Sequence, residues 1–233
     1  MARLPKPPRL IFFDLDDTLF DTSGQLVDPA HREAALAMVD AGLPMTPEEA
    51  FARRRALASL HPAESISSLV AQEAGTDASA VVAAGDRAFF ERDPGPLELA
   101  PSIHAFLSGL KNKVSLYLVT SGHRGTQALK VKRLALSDYF RAISFVDPRF
   151  GRTKADVFEA LLRQENCPPE RCLVVGDRPD GEIQAGHALG CRTVRIHHGE
   201  HSTRPLGADT READFNVQSI DEMMALVRDL IDE

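Results

Sequence analysis

An α/β fold, with a doubly wound parallel sheet as its core and a helical domain inserted into it, follows from three observations on the 233-residue chain. Short apolar runs, four to seven residues long and rich in β-branched and aromatic side chains, recur along it. Segments with the spacing of amphipathic helices separate them. One interval, residues 21–99, interrupts this alternation with helical segments alone. Strand alternating with helix implies a parallel sheet, because parallel strands need a crossover and a helix is the usual one.

The strands come in the following order. Residues 10–14 (LIFFD) are too few for a helix and carry no polar face until Asp14, which predicts a strand buried on both sides. Residues 114–120 (VSLYLVT), 142–146 (AISFV), 172–176 (CLVVG) and 193–196 (TVRI) share that character, and 214–217 form a weaker sixth run. Helical spacing covers 102–111, 125–136, 153–165, 180–189 and 219–231. The resulting Rossmann-like sheet would bind ligands beyond the carboxyl ends of its strands.

Within the interrupting interval, four helices are predicted at 29–41, 47–60, 62–74 and 77–92. Ile66, Leu69 and Val70 share one apolar face, and Val81, Gly85 and Phe89 share another, at spacings of three and four. Pro29, Pro47 and Pro62 fall in first turns, where a missing N–H is tolerated. Asp93-Pro94-Gly95-Pro96 is a turn that closes the segment. The expected domains are therefore residues 1–20 with 100–233 as the α/β core, and 21–99 as the helical insert.

Composition excludes several classes. With 27 Lys and Arg against 34 Asp and Glu the net charge is −7, and no basic stretch offers the phosphate neutralisation on which nucleic-acid binding depends. A hydrophobic content of 43% is too high for a disordered chain. No apolar run approaches the ~18 to 20 residues of a membrane span, and the proline-rich, basic start does not resemble a signal peptide. Cys167, Cys172 and Cys191 are odd in number and lack a Cys-x-x-Cys pair, so a reducing, cytoplasmic setting is expected.

Chemistry concentrates at the strand ends. Asp14, Asp16 and Asp17 follow the first strand within four positions, and three carboxylates so close repel one another unless a cation lies between them. More acidic residues, Asp177, Asp180 and Glu182, follow the fourth strand. Carboxylates converging from two strand ends suit a hard divalent ion with oxygen ligands, most plausibly Mg²⁺. Thr120, Ser121 and Gly122 end the second strand with hydroxyls and backbone N–H groups suited to an anion such as phosphate. Lys154 opens the helix before the fourth strand and supplies a cation.

These pieces, in this order, resemble the haloacid dehalogenase-like (HAD) superfamily of hydrolases, subfamily I with a helical C1 cap, over nearly the whole chain. Asp14-x-Asp16-x-Thr18 matches the first motif, Thr120 the second, Lys154 the third, and Gly176-Asp177 with Glu182 the fourth. Residues 127–140 (QALKVKRLALSDYF) are also similar to the family's core between the second and third motifs. The resemblance implies an Mg²⁺-dependent phosphatase for a small phosphorylated metabolite. Asp14 would form an aspartyl-phosphate and Asp16 would act as general acid and base. The metal would be held by Asp14, Asp177 and the backbone carbonyl of Asp16, with Asp180 or Glu182 supporting it, and Thr120, Ser121, Gly122 and Lys154 would hold the phosphoryl group. A carboxylate at position 16 sets the chain apart from the dehalogenating relatives. A phosphomutase has the same residues, and a regulatory protein that kept the fold without turnover is the reading from a different class. Two positions depart from the pattern: Glu182 stands where Asp is commoner, and Arg152 competes with Lys154 for the third-motif role.

Other features carry less. Arg53-Arg54-Arg55 reads as a solvated helix face, and His197, His198 and His201 as surface histidines without carboxylate partners. His123 is either near the substrate or a turn residue. Residues 21–99 hold 6 Lys and Arg against 13 Asp and Glu, while the remainder holds 21 of each, so the acidity belongs to the insert. A large polyanionic partner is therefore not expected.

Overall fold

The computed structural model describes residues 6–60, 65–76, 79–93, 95–147, 151–207 and 210–232. The chain divides into two compact units, one of Met1–Asp21 with Pro96–Glu233 and the other Thr22–Gly95.

In the first unit, strands β1 (Leu10–Phe13), β2 (Ser115–Ser121), β3 (Ala142–Val146), β4 (Cys172–Gly176), β5 (Arg192–Ile196) and β6 (Phe215–Val217) form one sheet. Its order is β3-β2-β1-β4-β5-β6 and every pairing is parallel. From β1 the chain builds outward through β2 to β3, then returns to lay β4 on the other side of β1. That reversal places a topological switch point between β1 and β4, where open sheets of this kind leave a crevice at the carboxyl ends.

The strands alternate faces. Leu10 and Phe12 pack with Tyr117, Val119, Val174, Val157, Phe158 and Leu161, and the Phe12 ring stacks on Phe158 at 4.4 Å. Phe13 points to the opposite side and meets Phe106 edge-on at 6.0 Å. All four residues of β1 are 1% exposed or less, as an apolar run predicts for a central parallel strand.

Helices α5 (Pro101–Leu110), α6 (Arg124–Arg133), α7 (Lys154–Gln164), α8 (Gln184–Leu189) and α9 (Ile220–Asp232) belong to this unit, and the four helices that precede them in the chain belong to the other. Expected and observed bounds agree to within three residues except at α8, where a wide helical turn, Pro179–Ile183, precedes the regular helix. Gly181 breaks the helical backbone there.

The second unit contains α1 (Asp28–Asp40), α2 (Pro47–Leu60), α3 (Ile66–Glu73) and α4 (Ser79–Phe90). The expected starts of the last two, at Pro62 and Asp77, lie outside the described residues, as does Pro94 of the closing turn. Ser65 caps α3 by accepting from the Ser68 N–H at 3.3 Å. Ala35, Met38, Leu43, Ala50, Leu57, Val70, Ala71 and Val81 form the unit's own core.

The arginine triplet meets three different environments, which corrects the expectation of a solvated face. Consecutive helical residues point about 100° apart. Arg53 pairs with Glu73, and Arg55 with Asp28 at 2.7 Å. Arg54 turns inward, 1% exposed, and donates to Ser67 Oγ at 2.9 Å and Met38 Sδ at 3.1 Å. Its guanidinium lies over Phe89, whose ring also packs against buried His31 at 4.8 Å.

Candidate active site

Strand register sets the first relationship. Phe13 pairs with Val175 across β1 and β4, and the Asp14 N–H donates to the Val175 carbonyl at 3.0 Å. Asp14 and Asp177 are thereby delivered to the same edge of the sheet, one after each strand. Both are buried, at 5% and 2% exposure.

Lys154 is the first residue of α7, and the cap of that helix fixes its place. The Thr153 hydroxyl accepts from the Asp156 N–H at 3.3 Å, while Asp156 accepts from the Thr153 N–H at 2.8 Å, a reciprocal capping box. From there the ammonium donates to Asp14 Oδ1 and to Glu182 Oε2, each at 2.7 Å. Glu182 Oε1 accepts from the Arg178 N–H at 2.7 Å. The Glu182 side chain lies so close over Gly176 that a β-carbon there would collide with its Cγ and carboxyl atoms and would have to displace it.

Asp14, Asp177 and Glu182 each offer an oxygen within 4.8 Å of the others, and all three are buried. Their electrostatics follow from three carboxylates and one ammonium in a desolvated space. Burial pushes the Asp14 carboxyl up to about 7 against the pull of Lys154, with Glu182 and Asp16 adding to the rise. Burial, then Glu182, Asp14 and Asp17, pushes Asp177 well above the usual carboxylate range. Burial also opposes ionisation of Glu182, but Lys154 and the Arg178 N–H hold it below its ordinary value. Lys154 resists its own desolvation because Asp14 and Glu182 raise its pKa. Asp177 has no hydrogen-bond or ion-pair partner among the described residues. A buried carboxylate in that condition, beside two others and with oxygen donors only, fits a hard divalent cation.

The two pairs of residues left open by the sequence differ in their surroundings. Asp180 is exposed at the same cleft as Lys154 and its carboxylate accepts from Arg204 at 2.6 Å, while Glu182 is buried inside the cluster. Arg152 is exposed, while Lys154 is buried between two carboxylates.

Of the three residues expected to hold an anion, one has its backbone donor engaged elsewhere. Thr120 is fully buried and its Oγ1 accepts from Gln127 Nε2 at 3.0 Å, which leaves the hydroxyl hydrogen for another acceptor. The Gly122 N–H, expected to face an anion, instead donates to the Val146 carbonyl at 2.9 Å. The pairing of β2 with β3 continues one residue past the strand and takes that donor; a φ of +133° there explains the glycine. Ser121 remains at the edge of a cleft of about 540 Å³, with Lys154, Arg178 and Glu182.

Gln127 and Lys130 of α6 are site residues that motif reading did not select. Gln127 Nε2 is also 2.7 Å from Asp16 Oδ2 and 2.6 Å from the Ser121 carbonyl, so its two hydrogens are shared among three acceptors. Lys130 Nζ donates to Asp16 Oδ1. The available signal was the i, i+3 spacing of two polar residues on the helix that follows the Thr120 strand.

The histidine expectation is corrected as well. His198 Nε2 lies 3.2 Å from Asp21 Oδ1, and together with Asp17 these two offer ligand atoms within 4.8 Å of one another. The carboxylates come from the turn after β1, far away in sequence. His123 is exposed. All three cysteines are free and buried, and no helix among the described residues is long and apolar enough to cross a membrane.

With this geometry in view, similarity to known proteins is informative. A family profile of haloacid dehalogenase-like hydrolases matches residues 8–190. The chain is 30% identical to the glyceraldehyde 3-phosphate phosphatase of Methanopyrus kandleri, across 95% of this chain and 98% of that protein. It is 29% identical to the enzyme of the same name from Methanothermobacter thermautotrophicus, across 81% and 85%. Its fold is similar to that of YfnB from Bacillus subtilis, solved bound to magnesium, with a TM-score of 0.64 and 21% identity over 95% of this chain and 99% of that one. Strand order, the acidic crevice after β1 and β4 and the match over most of its length agree: the chain belongs to the haloacid dehalogenase-like hydrolases.

Proposed function

We propose that this protein is an Mg²⁺-dependent phosphatase that hydrolyses a small phosphorylated metabolite through a phosphoryl group carried on Asp14. The observation that carries the reading is the buried carboxylate of Asp14 at the switch point of the sheet, bound by Lys154 at 2.7 Å and flanked by Asp177 and Glu182. A carboxylate in that setting is a nucleophile with its surroundings already organised.

In this reading an oxygen of Asp14 attacks phosphorus and the bond to the leaving oxygen breaks. Asp16 gives its proton to that oxygen, releasing an alcohol, and then takes a proton from the water that attacks the aspartyl-phosphate. Free phosphate leaves, and both carboxylates return to their starting state. Thr120 donates its remaining hydroxyl hydrogen to a phosphoryl oxygen, with the Ser121 hydroxyl beside it. Lys154 holds Asp14 in place and offsets charge on the transferring group. Asp14, Asp177 and the backbone carbonyl of Asp16 would hold Mg²⁺, with Glu182 supporting the shell. When bound, the ion supplies charge neutralisation between nucleophile and phosphate. Residues 21–99 serve in this reading as the cap that selects the substrate.

The curated relatives make a three-carbon phosphate the natural first probe. Purified protein with Mg²⁺ should release inorganic phosphate from D-glyceraldehyde 3-phosphate or from another member of a panel of sugar, polyol and carboxylic acid phosphates. Asp14→Asn should abolish the release while the fold persists. Folded wild-type protein that releases no phosphate from any member would overturn the reading.

A further inference from the structure

We infer that Lys130, with Gln127, is a positioning residue for Asp16. From one face of α6 the two side chains hold the Asp16 carboxylate in the orientation from which it protonates the leaving oxygen. The inference rests on the reading of Asp16 as the general acid given above.

The geometry supports it at each oxygen. Oδ1 accepts from Lys130 Nζ and Oδ2 accepts from Gln127 Nε2 at 2.7 Å. A carboxylate tied at both oxygens to one rigid helix loses the rotations about its Cα–Cβ and Cβ–Cγ bonds. The donors are themselves fixed. Gln127 is 3% exposed and also reaches Thr120 Oγ1 and the Ser121 carbonyl, and Lys130 is 9% exposed. One helix therefore registers the acid against the hydroxyl proposed to hold the phosphoryl group. Proton transfer demands such registration, because a donor displaced by about 1 Å can lose two orders of magnitude in rate.

A general acid matters in proportion to how badly the leaving group needs a proton, and this separates positioning from mere structural support. An alkoxide leaving group depends on protonation; 4-nitrophenolate does not. The test compares kcat/KM, which reports steps up to phosphorylation of the enzyme, for a primary alkyl phosphate and for 4-nitrophenyl phosphate. Lys130→Met keeps the aliphatic stem and removes the donor. It should lower the alkyl value by at least about tenfold, part of the 10²- to 10⁴-fold worth of a general acid, and leave the aryl value within about threefold. Lys130→Arg, which keeps a cationic donor, should recover part of the alkyl activity, and it stands in for the comparison should the Met variant fail to fold. Asp16→Asn should show the same selectivity in a larger measure. Equal losses on both esters, or no loss on either, in folded protein would overturn the inference while leaving the phosphatase reading intact. Wild-type protein inert towards both esters and the wider panel would remove that reading and this inference together.

Discussion

Lys154 Nζ lies 2.7 Å from Asp14 Oδ1, and neither side chain is more than 7% exposed. An ion pair this deep is costly to leave half-made, because the partner's charge stays buried without compensation. Lys154→Met should therefore both abolish turnover and lower unfolding stability by roughly 3–5 kcal/mol, read from a denaturant titration. Lys154→Arg should also fail in catalysis, since a planar fork does not replace a compact ammonium between two carboxylates. Full activity in the Arg variant would contradict this placement of the cation.

Burial pushes Asp14 up to about 7, so it competes for a proton near neutral pH, and burial pushes Asp177 well above the ordinary carboxylate range, so it too holds a proton more readily than a free carboxylate. A divalent ion must displace those protons, and its binding should strengthen as pH rises through 7. The increase in Tm on adding Mg²⁺ should therefore be larger at pH 8 than at pH 6, and Asp177→Asn should shrink it at both. A shift independent of pH, or unaffected by Asp177→Asn, would contradict the assignment of the ion to these carboxylates.

Gly176 ends β4 beneath the Glu182 side chain, and a β-carbon there would collide with it. Gly176→Ala must displace Glu182, which holds Lys154 at 2.7 Å. Loss of about 1–3 kcal/mol of stability is expected from the overpacking, together with a marked fall in kcat. An Ala variant as active as the parent would show that Glu182 does not need that position.

Much of this architecture was legible because parallel strands buried on both faces leave a strong mark. LIFF and CLVVG contain no polar residue, so their bounds, and the positions of Asp14 and Asp177 beyond them, could be read directly. Gln127 and Lys130 could not, because a polar pair on a helix looks solvated until the neighbouring strand is known. The Gly122 N–H misled for a related reason: whether a donor after a strand is free depends on how far the next strand's pairing extends, which is a tertiary fact. Arg54 shows the limit most plainly, since three consecutive arginines read as one surface while helical rotation sends one of them into the core.

His31, 3% exposed, is pushed down to about 3 by burial, with Arg54 and Arg55 adding to the effect. Its folded pKa lies below the unfolded value of 6.5, so its contribution to stability is fully present above pH 6.5 and is lost as pH falls towards 3. His31→Gln removes that linkage. The stability advantage of the parent over the variant, from urea midpoints, should shrink steadily between pH 7 and pH 4. A constant difference would mean that His31 titrates alike in both states.

Capture of the phosphorylated carboxylate bears most directly on the proposed chemistry. A single turnover with excess enzyme and Mg²⁺, quenched in acid and reduced with borohydride, converts an aspartyl-phosphate to homoserine, which peptide mass spectrometry can locate. Homoserine at position 14, absent in Asp14→Asn, is the predicted result. Phosphate release with Asp14 unmodified, or with modification at another carboxylate, would contradict the role of Asp14 as nucleophile.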